Sequence, residues 1–216
     1  MLYVPPTSAA AQAARSVWNH PETVIEPFLG EKESWFANPN NQALVSQFAK
    51  SQGFKRLPKR TVHGTFSTAL IAPTSIIKIS HNDMAYARWV TDVTLDKYPY
   101  MALHSPALYA AAQLREQGVQ LYHSQRMTKH YEMQRKYQNI AEDLAGSFEW
   151  GFPDTFYKFV HPSFKSALAE LGNFMDDTGF TVDDTSPDNI GYLPDTTAPN
   201  PAFPFRLMLI DPVQGI

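Results

Sequence analysis

The chain has 216 residues, a length that suits one domain or two small lobes with a buried core. Its apolar fraction of 44% and aromatic fraction of 13% are typical of a folded globular protein, and its net charge of -3 excludes the strong basic field that nucleic-acid binding requires. The absence of cysteine excludes disulfides and thiol chemistry. No apolar run approaches the length of about 20 residues that is needed to span a bilayer. We therefore expect a soluble protein with neither a nucleic acid nor a membrane as partner.

The N-terminal segment differs in composition from the rest of the chain. Residues 1–37 are rich in Ala, Pro and Asn, and their start lacks the basic residues and the apolar core of a secretory signal. A short helix is predicted over Ala9–Trp18. A clearer helix is predicted over Asn41–Gln52, because apolar residues recur on one face and Gly53 can end it.

Strands dominate residues 55–127, and helices dominate the chain after them. The predicted strands are Thr61–Leu70, Ser75–Ser80, Pro106–Leu114 and Val119–Met127. Helical spacing of apolar residues predicts one helix through Tyr86 and Val93, one that ends at Gly146, and one from Pro162 to a stop at Gly179. This segregation predicts an α+β fold with two lobes and a cleft between them, preceded by an added helical piece.

The strongest candidate site lies near the C-terminus. The motif DTSPDN at 184–189 has the form Asp-x-x-x-x-Asn, and a predicted hairpin of strands Ile190–Leu193 and Leu207–Ile210 separates it from Asp211. Taken alone, the motif is equally typical of a loop that caps itself. The hairpin brings Asn189 and Asp211 to one end, where two oxygen ligands suit Mg²⁺.

A calcium loop is the rival metal interpretation of the same segment. Asp184, Ser186, Asp188 and Asp195 fall at positions 1, 3, 5 and 12 of an EF-hand count. The turn position, however, holds Asn189 instead of Gly, and four prolines exclude the helix that should follow. We therefore reject the calcium loop.

Two further features point to a bound anion. Lys78 lies inside an apolar β-branched strand, where it either reaches solvent from an edge strand or meets an anion such as a phosphate. Gly64 lies in a strand-turn-strand segment shortly before it, which is either a plain hairpin or a backbone cover over phosphates. No Walker-A motif is present, which excludes an ordinary P-loop, and the seven histidines show no paired metal spacing.

The order of these features resembles that of a protein kinase: glycine turn, strand lysine, helix, strand pair, connecting segment, helix, Asp-x-x-x-x-Asn, hairpin and a last Asp. More narrowly, residues 53–213 resemble the early serine/threonine kinases of lytic podophages of the Autographiviridae type. The motifs that carry this likeness are Gly53-Phe54-Lys55, HGTFSTA at 63–69, Ile76-Ile77-Lys78, and Asp211-Pro212-Val213 in the place of Asp-Phe-Gly.

The resemblance implies a two-lobed protein kinase-like fold with a shortened, helical C-lobe. Its expected parts are an N-terminal helical extension (1–52), an N-lobe made mostly of strands (53–128) and a minimal C-lobe with the catalytic loop and the metal-binding hairpin (129–216). It also implies ATP and Mg²⁺ as cofactors. The expected partners are host bacterial proteins, as substrates or targets, in the cytoplasm of the infected cell.

The resemblance also implies a role for individual residues. Asp184 would orient the substrate hydroxyl and accept its proton, and Asn189 and Asp211 would hold Mg²⁺. Lys78 would contact the ATP phosphates. The backbone at Gly64 and Ser67 would cover these phosphates, and Met127 would lie near adenine in the connection between the lobes.

Several departures from the family keep two alternatives open. Ser186 stands where protein kinases carry a lysine, and the helix after Lys78 contains no glutamate, so Asp83, Asp92 or Asp96 is the candidate partner of Lys78. The five residues printed after Asp211 contain no activation segment. The alternatives are a catalytically weak or dead kinase-like protein that binds and inhibits a host enzyme, and a small-molecule phosphotransferase of the aminoglycoside-kinase kind.

Overall fold

The computed structural model describes residues 32–64, 67–81, 83–94, 97–114, 118–148, 156–181 and 187–213. Contacts divide these residues into two units. The sheet unit comprises the described residues of 32–94 and 107–126, and the helical unit comprises those of 97–106 and 127–213. No helix in the described ranges has the length and apolar character that crossing a membrane requires.

The described ranges contain both helices and strands. The helices are α1 (Lys32–Ala37), α2 (Pro39–Ser51), α3 (Met84–Thr94), α4 (Pro99–Leu103), α5 (Arg135–Phe148) and α6 (Ser163–Thr178). The strands are β1 (Arg60–His63), β2 (Ser67–Ile71), β3 (Ser75–His81), β4 (Leu108–Leu114), β5 (Val119–Gln125), β6 (Ile190–Pro194) and β7 (Phe205–Leu209). Single 3-10 turns at His130–Glu132 and Pro187–Asn189 precede α5 and β6.

The sheet unit is built on five antiparallel strands in the order β1-β2-β3-β5-β4. β3 is therefore the central strand. Its register places Lys78 directly opposite Ala69 of β2 and Tyr122 of β5. Because side chains alternate along a strand, these three residues point to the same face of the sheet.

The opposite face of the sheet carries the apolar core of this unit. Leu70, Ile77, Ile79, Val119 and Leu121 are buried there together with Trp35, Val45 and Ala49 from α1 and α2. The two N-terminal helices thus share one core with the sheet. Burial of side chains of this size contributes about 1.5–3 kcal/mol each, so these helices are a substantial part of the stability of the unit.

The helical unit joins α4, α5 and α6 to the β6–β7 hairpin. The Tyr98 ring before α4 contacts the Phe174 ring of α6, with centroids 5.9 Å apart, and the Met101 N–H donates to the Glu170 carboxylate at 2.7 Å. Tyr192 of β6 is fully buried, and its hydroxyl donates to the Ala141 carbonyl of α5. Three helices and the hairpin are therefore linked by buried aromatic and polar contacts.

The prediction of a mixed α+β protein is confirmed, since an antiparallel sheet and several helices are present. The segment from Thr61 to Leu70 is two antiparallel strands, β1 and β2, so its prediction as a strand-turn-strand around Gly64 is confirmed and its prediction as a single strand is wrong. The stop predicted at Gly179 is confirmed, with φ of 75° and its N–H donating to the Met175 carbonyl at 2.8 Å. The helix predicted at Ala9–Trp18 lies outside the described residues.

Candidate functional site

Lys78 occupies the middle of the central strand, and only 8% of its surface is exposed. The sequence left open whether this lysine reaches solvent from an edge strand. The sheet order excludes that interpretation, because β3 has strand neighbours on both sides. A buried ammonium is costly unless other groups stabilise its charge, so this lysine is a strong candidate for a functional cation.

The Tyr86 ring of α3 covers the Lys78 ammonium. Lys78 Nζ lies 3.2 Å from the centroid of this ring, a cation–π contact. The Tyr122 ring meets Tyr86 edge to face with centroids 5.1 Å apart, and Trp89 lies beside Tyr86 at 5.5 Å. Lys78 is therefore held in an aromatic cluster formed by α3 and β5.

Two acidic residues near α3 contact the helix itself. Asp83 Oδ1 accepts the backbone N–H of Tyr86 at 2.9 Å and so caps the start of the helix. Asp92 is buried, and its Oδ2 pairs with Arg88 Nε at 2.9 Å one turn earlier. The third candidate, Asp96, lies outside the described residues.

Gly64 and Ser67 close the turn between β1 and β2. The Gly64 N–H donates to the Ser67 carbonyl at 2.8 Å, and this hydrogen bond joins the ends of the two strands. A Cβ added to Gly64 would lie 3.6 Å from Ser67 Oγ, an ordinary contact, so packing in this structure does not itself require the glycine. The two residues between them lie outside the described ranges.

The β6–β7 hairpin brings Asn189 and Asp211 to the same end, as the sequence predicts. Ile190 pairs with Leu209, and beyond this pair the Ile210 N–H donates to the Asn189 carbonyl at 2.9 Å. Asp211 follows directly. In the described part of the chain, no group of three or more His, Cys, Asp or Glu side chains is arranged to hold a metal. One amide and one carboxylate fit Mg²⁺, which usually takes one or two carboxylates and keeps phosphate oxygens and waters.

Met127 lies against the same hairpin. It is buried, and the next residue, Thr128, exchanges two backbone hydrogen bonds with Tyr192 of β6. Gly191 faces Met127 so closely that an added Cβ would overlap Met127 Cβ and approach Ile210 Cδ1 to 2.7 Å. The segment after β5 is thus fixed beside β6, and this close approach is the reason for the glycine.

The other end of the hairpin contains a buried ion pair. Asp195 Oδ2 accepts from Arg206 Nε at 2.9 Å, and its Oδ1 accepts from the N–H and hydroxyl of Thr197. Burial acts to raise the pKa of Asp195, but these hydrogen bonds and the Arg206 charge together hold it below its ordinary value. Asp195 therefore stabilises the hairpin loop through its contacts within the hairpin.

No pattern in the sequence indicated the structural role of His104 in the helical unit. It is fully buried, with Nδ1 2.7 Å from the Leu207 carbonyl and Nε2 2.7 Å from Ser163 Oγ. Because a carbonyl only accepts, Nδ1 carries the proton and Nε2 accepts from the serine hydroxyl. Burial lowers the pKa of His104 to about 4, although the bond to Leu207 acts in the opposite direction.

The predicted site residues fall into separate groups. Asn189 and Asp211 share one hairpin end, Met127 lies beside β6 of the same hairpin, Gly64 and Ser67 share one turn, and Lys78 lies on the central strand. Asp184 and Ser186 lie outside the described residues. No protein-family model matches the chain, and no curated protein matches it either.

Proposed function

We propose that this chain is a phage-encoded serine/threonine protein kinase that transfers the γ-phosphate of ATP, with Mg²⁺, to host proteins during infection. The observation that carries the proposal is the buried Lys78 on the central strand of an antiparallel sheet. This strand is followed along the chain by a helix, two strands, further helices and a hairpin that brings Asn189 and Asp211 to one end. This order supports a two-lobed, kinase-like fold.

Each group has a defined task in phosphoryl transfer. Lys78 binds the nonbridging phosphate oxygens, and backbone amides at the Gly64–Ser67 turn cover them. Asn189 and Asp211 hold Mg²⁺ against the phosphates, and Met127 packs near adenine. Asp184 orients the substrate hydroxyl and accepts its proton. The transition state spreads negative charge over the phosphoryl oxygens, so loss of one such group is expected to cost several kcal/mol, on the order of 3.

The environment of Lys78 supports a phosphate-binding role. A lysine without function is rarely kept on the central strand of a sheet, because its ammonium loses hydration there. The Tyr86 ring lies over the ammonium and helps to fix its position. A phosphate group is an anion that a lysine in this position can bind.

A catalytically weak or dead kinase-like protein that inhibits a host enzyme by contact is the second candidate. The observation that favours it is the composition of α3, which contains no glutamate. Protein kinases use a glutamate of this helix to hold the strand lysine in its active position. Ser186, in the place of a phosphate-binding lysine, points the same way.

The test combines nucleotide binding with phosphate transfer. ATP affinity is measured by calorimetry with and without Mg²⁺, and host lysate is incubated with γ-labelled ATP and either wild type, Asp184→Ala or Asp176→Ala. Asp176 is an exposed acid of α6 and is the matched control. A kinase labels host proteins with wild type and Asp176→Ala, and loses labelling with Asp184→Ala.

The outcomes separate the candidates. ATP binding without any labelled protein favours the catalytically inactive inhibitor. In that case the Asp184→Ala and Asp211→Ala variants should still inhibit the host target. Labelling that persists in Asp184→Ala contradicts the role given to that residue. Absence of both ATP binding and labelling would sink the kinase proposal.

A further inference from the structure

The charged residues are distributed unevenly along the chain. No acidic residue lies between Glu33 and Asp83, although this segment contains six of the 18 Lys and Arg residues. Four of these six lie close together and are exposed: Lys55, Arg56, Lys59 and Arg60. Because the whole chain has a net charge of -3, they form a local positive surface on a protein that is acidic elsewhere.

Aromatic rings lie beside this basic segment. The Phe54 ring meets the His123 ring of β5 edge to face with centroids 5.2 Å apart, and the Tyr109 ring of β4 contacts the same imidazole at 5.0 Å. Tyr109 lies where the β4–β5 register shifts, between Leu108 and Ala110, and 45% of it is exposed. Bulges of this kind redirect side chains. A tyrosine ring is thus presented to solvent close to the start of the basic segment.

The His123 imidazole beneath these rings is buried. Only 9% of the residue is exposed, and in the described part of the chain neither Nδ1 nor Nε2 has a hydrogen-bond partner. Burial lowers the pKa of His123, so the ring is neutral at pH 7. Two unsatisfied ring nitrogens are unfavourable in the interior. An occupant that shifts the Tyr109 ring would supply the missing hydrogen bonds, so His123 is a second indication of a binding surface.

The basic segment crosses one face of the sheet. Phe54 lies over β5, and Arg60 begins β1. β5 and β1 are three strand spacings apart, about 14 Å, which is the length of about four extended residues. His123 pairs with Ile77 of the apolar core, so this face is opposite to that of Lys78. An occupant here therefore leaves the Lys78 face uncovered.

We propose that this docking surface, formed by Phe54, Tyr109 and the four basic residues of 55–60, binds a short acidic segment of a partner protein that carries an aromatic side chain. The carboxylates of the segment pair with the exposed Lys and Arg side chains, and its ring packs on Tyr109. Binding here does not require kinase activity. In a kinase, the same surface would recruit a protein substrate without blocking the nucleotide.

The geometry favours a peptide over a single-stranded nucleic acid as the occupant. Nucleic-acid strands bind along grooves with several rings on which successive bases stack, and this surface has one strongly exposed ring, that of Tyr109. A long polyanion also experiences the net negative charge of the whole chain. A short acidic peptide contacts only the positive surface.

The first experiment reverses the charge of the surface. Fluorescence polarisation without ATP measures the affinity of a short labelled peptide of glutamates around one tyrosine. Lys55→Glu combined with Arg56→Glu should weaken binding at least about 10-fold, because two attractions become repulsions. The control combines Arg135→Glu with Lys136→Glu, an adjacent exposed basic pair of α5 with the same change in net charge. It should bind within about 2-fold of wild type, and equal losses in both variants would overturn the proposal.

The second experiment tests the ring contact. Tyr109→Ala should weaken binding of the tyrosine peptide about 3- to 10-fold and leave a serine version of the peptide unaffected. Tyr100→Ala, at an exposed tyrosine of the helical unit, should change neither affinity. In NMR spectra, the tyrosine peptide should shift the ring signals of His123, which His123→Phe identifies. Equal weakening of both peptides in Tyr109→Ala, or unshifted His123 signals, contradicts docking on this ring.

Further outcomes concern the occupant and the proposed function. A peptide with glutamine in place of glutamate should not bind wild type, and this comparison decides if the charge-reversed protein does not fold. Tighter binding of a thymidine oligonucleotide than of the acidic peptide would show a nucleic-acid site and overturn the proposal. If the peptide binds but ATP does not, the kinase proposal fails and the docking surface stands. If host proteins are labelled but the peptide does not bind, the docking surface is wrong and the kinase stands.

Discussion

Thr128 and Tyr192 exchange two backbone hydrogen bonds, with N···O distances of 3.2 Å and 2.9 Å. The chain that leaves β5 therefore pairs with β6 through a single antiparallel bridge. This pairing places Met127 directly against Gly191, where no side chain fits.

Gly191→Ala is expected to destabilise the helical unit by about 1–3 kcal/mol, because the new methyl group overlaps Met127 and must displace it. Gly172→Ala is the matched control. Gly172 lies within α6 with nothing within 4 Å of an added Cβ, so this change should stabilise by about 0.5–1 kcal/mol. Urea unfolding at constant pH measures both. Equal effects of the two changes would show that the close approach at Gly191 is not maintained in solution.

Asp211→Asn is expected to weaken the Mg²⁺-dependent part of ATP affinity by at least about 10-fold. Asp195→Asn at the other hairpin end should instead lower the stability. It breaks a buried ion pair with Arg206 and should cost about 3 kcal/mol of stability, with the Mg²⁺ effect on ATP binding intact. Calorimetry and urea unfolding test the contrast, and an unchanged Mg²⁺ effect in Asp211→Asn would remove Asp211 from the metal site.

Protonation of His104 is expected to destabilise the protein in mild acid. Its pKa is about 4 in the folded state and 6.5 in the unfolded state, so the unfolded chain binds the proton first as the pH falls. The stabilising contribution is complete above pH 6.5, declines below it and is lost near pH 4, a difference of about 3 kcal/mol. NMR titration of the ring should show neutral His104 at pH 5. A midpoint near 6.5 would contradict the buried hydrogen-bonded arrangement.

A row of buried polar groups crosses the Lys78 face of the sheet. Ser80 lies opposite Gln120, which lies opposite Gln113, and in the described residues Ser80 Oγ and both Oε1 atoms have no hydrogen-bond partner. Ser80→Ala should therefore change stability by less than about 0.5 kcal/mol or increase it.

The matched control for Ser80 is Thr68→Val in the neighbouring strand. Thr68 is also fully buried, but its hydroxyl lies 3.0 Å from His63 Nδ1 and makes a hydrogen bond. Its loss should cost about 1 kcal/mol. Thermal unfolding of both variants is the measurement, and a cost of Ser80→Ala as large as that of Thr68→Val would mean that an ordered water binds Ser80.

Regular patterns in the sequence were sufficient to predict the central strands and the terminal hairpin. β3 and the β6–β7 pair are apolar runs between turn residues. The pairing of β3 with β5, which makes β3 the central strand, was not predicted. The short helices α1 and α4 were not predicted, because tertiary contacts hold them: Trp35 enters the sheet core, and Glu170 accepts the N–H of Met101. Local propensity says little about elements of this length.

The residues of the candidate site were likewise predictable only in part. The common hairpin end of Asn189 and Asp211 follows from strand pairing and was predictable. The ring over Lys78 depends on the angle at which α3 crosses the sheet, and the place of His104 depends on contacts with residues about 60 and 100 positions away. Sequence spacing does not encode either relationship. The role of Asp184 stays a prediction.

The position of His104 in the chain shows that each of the two units is built from separate segments. It belongs to residues 97–106, which lie in the helical unit although they stand between the sheet-unit segments 32–94 and 107–126. The described chain therefore passes between the units three times. A fragment beginning at residue 127 would lose the carbonyl that accepts the Leu209 N–H and the ring that donates to the Leu207 carbonyl. Neither unit can be cut out as one continuous piece of chain, so recombination or proteolysis at a point between residues 97 and 126 divides both.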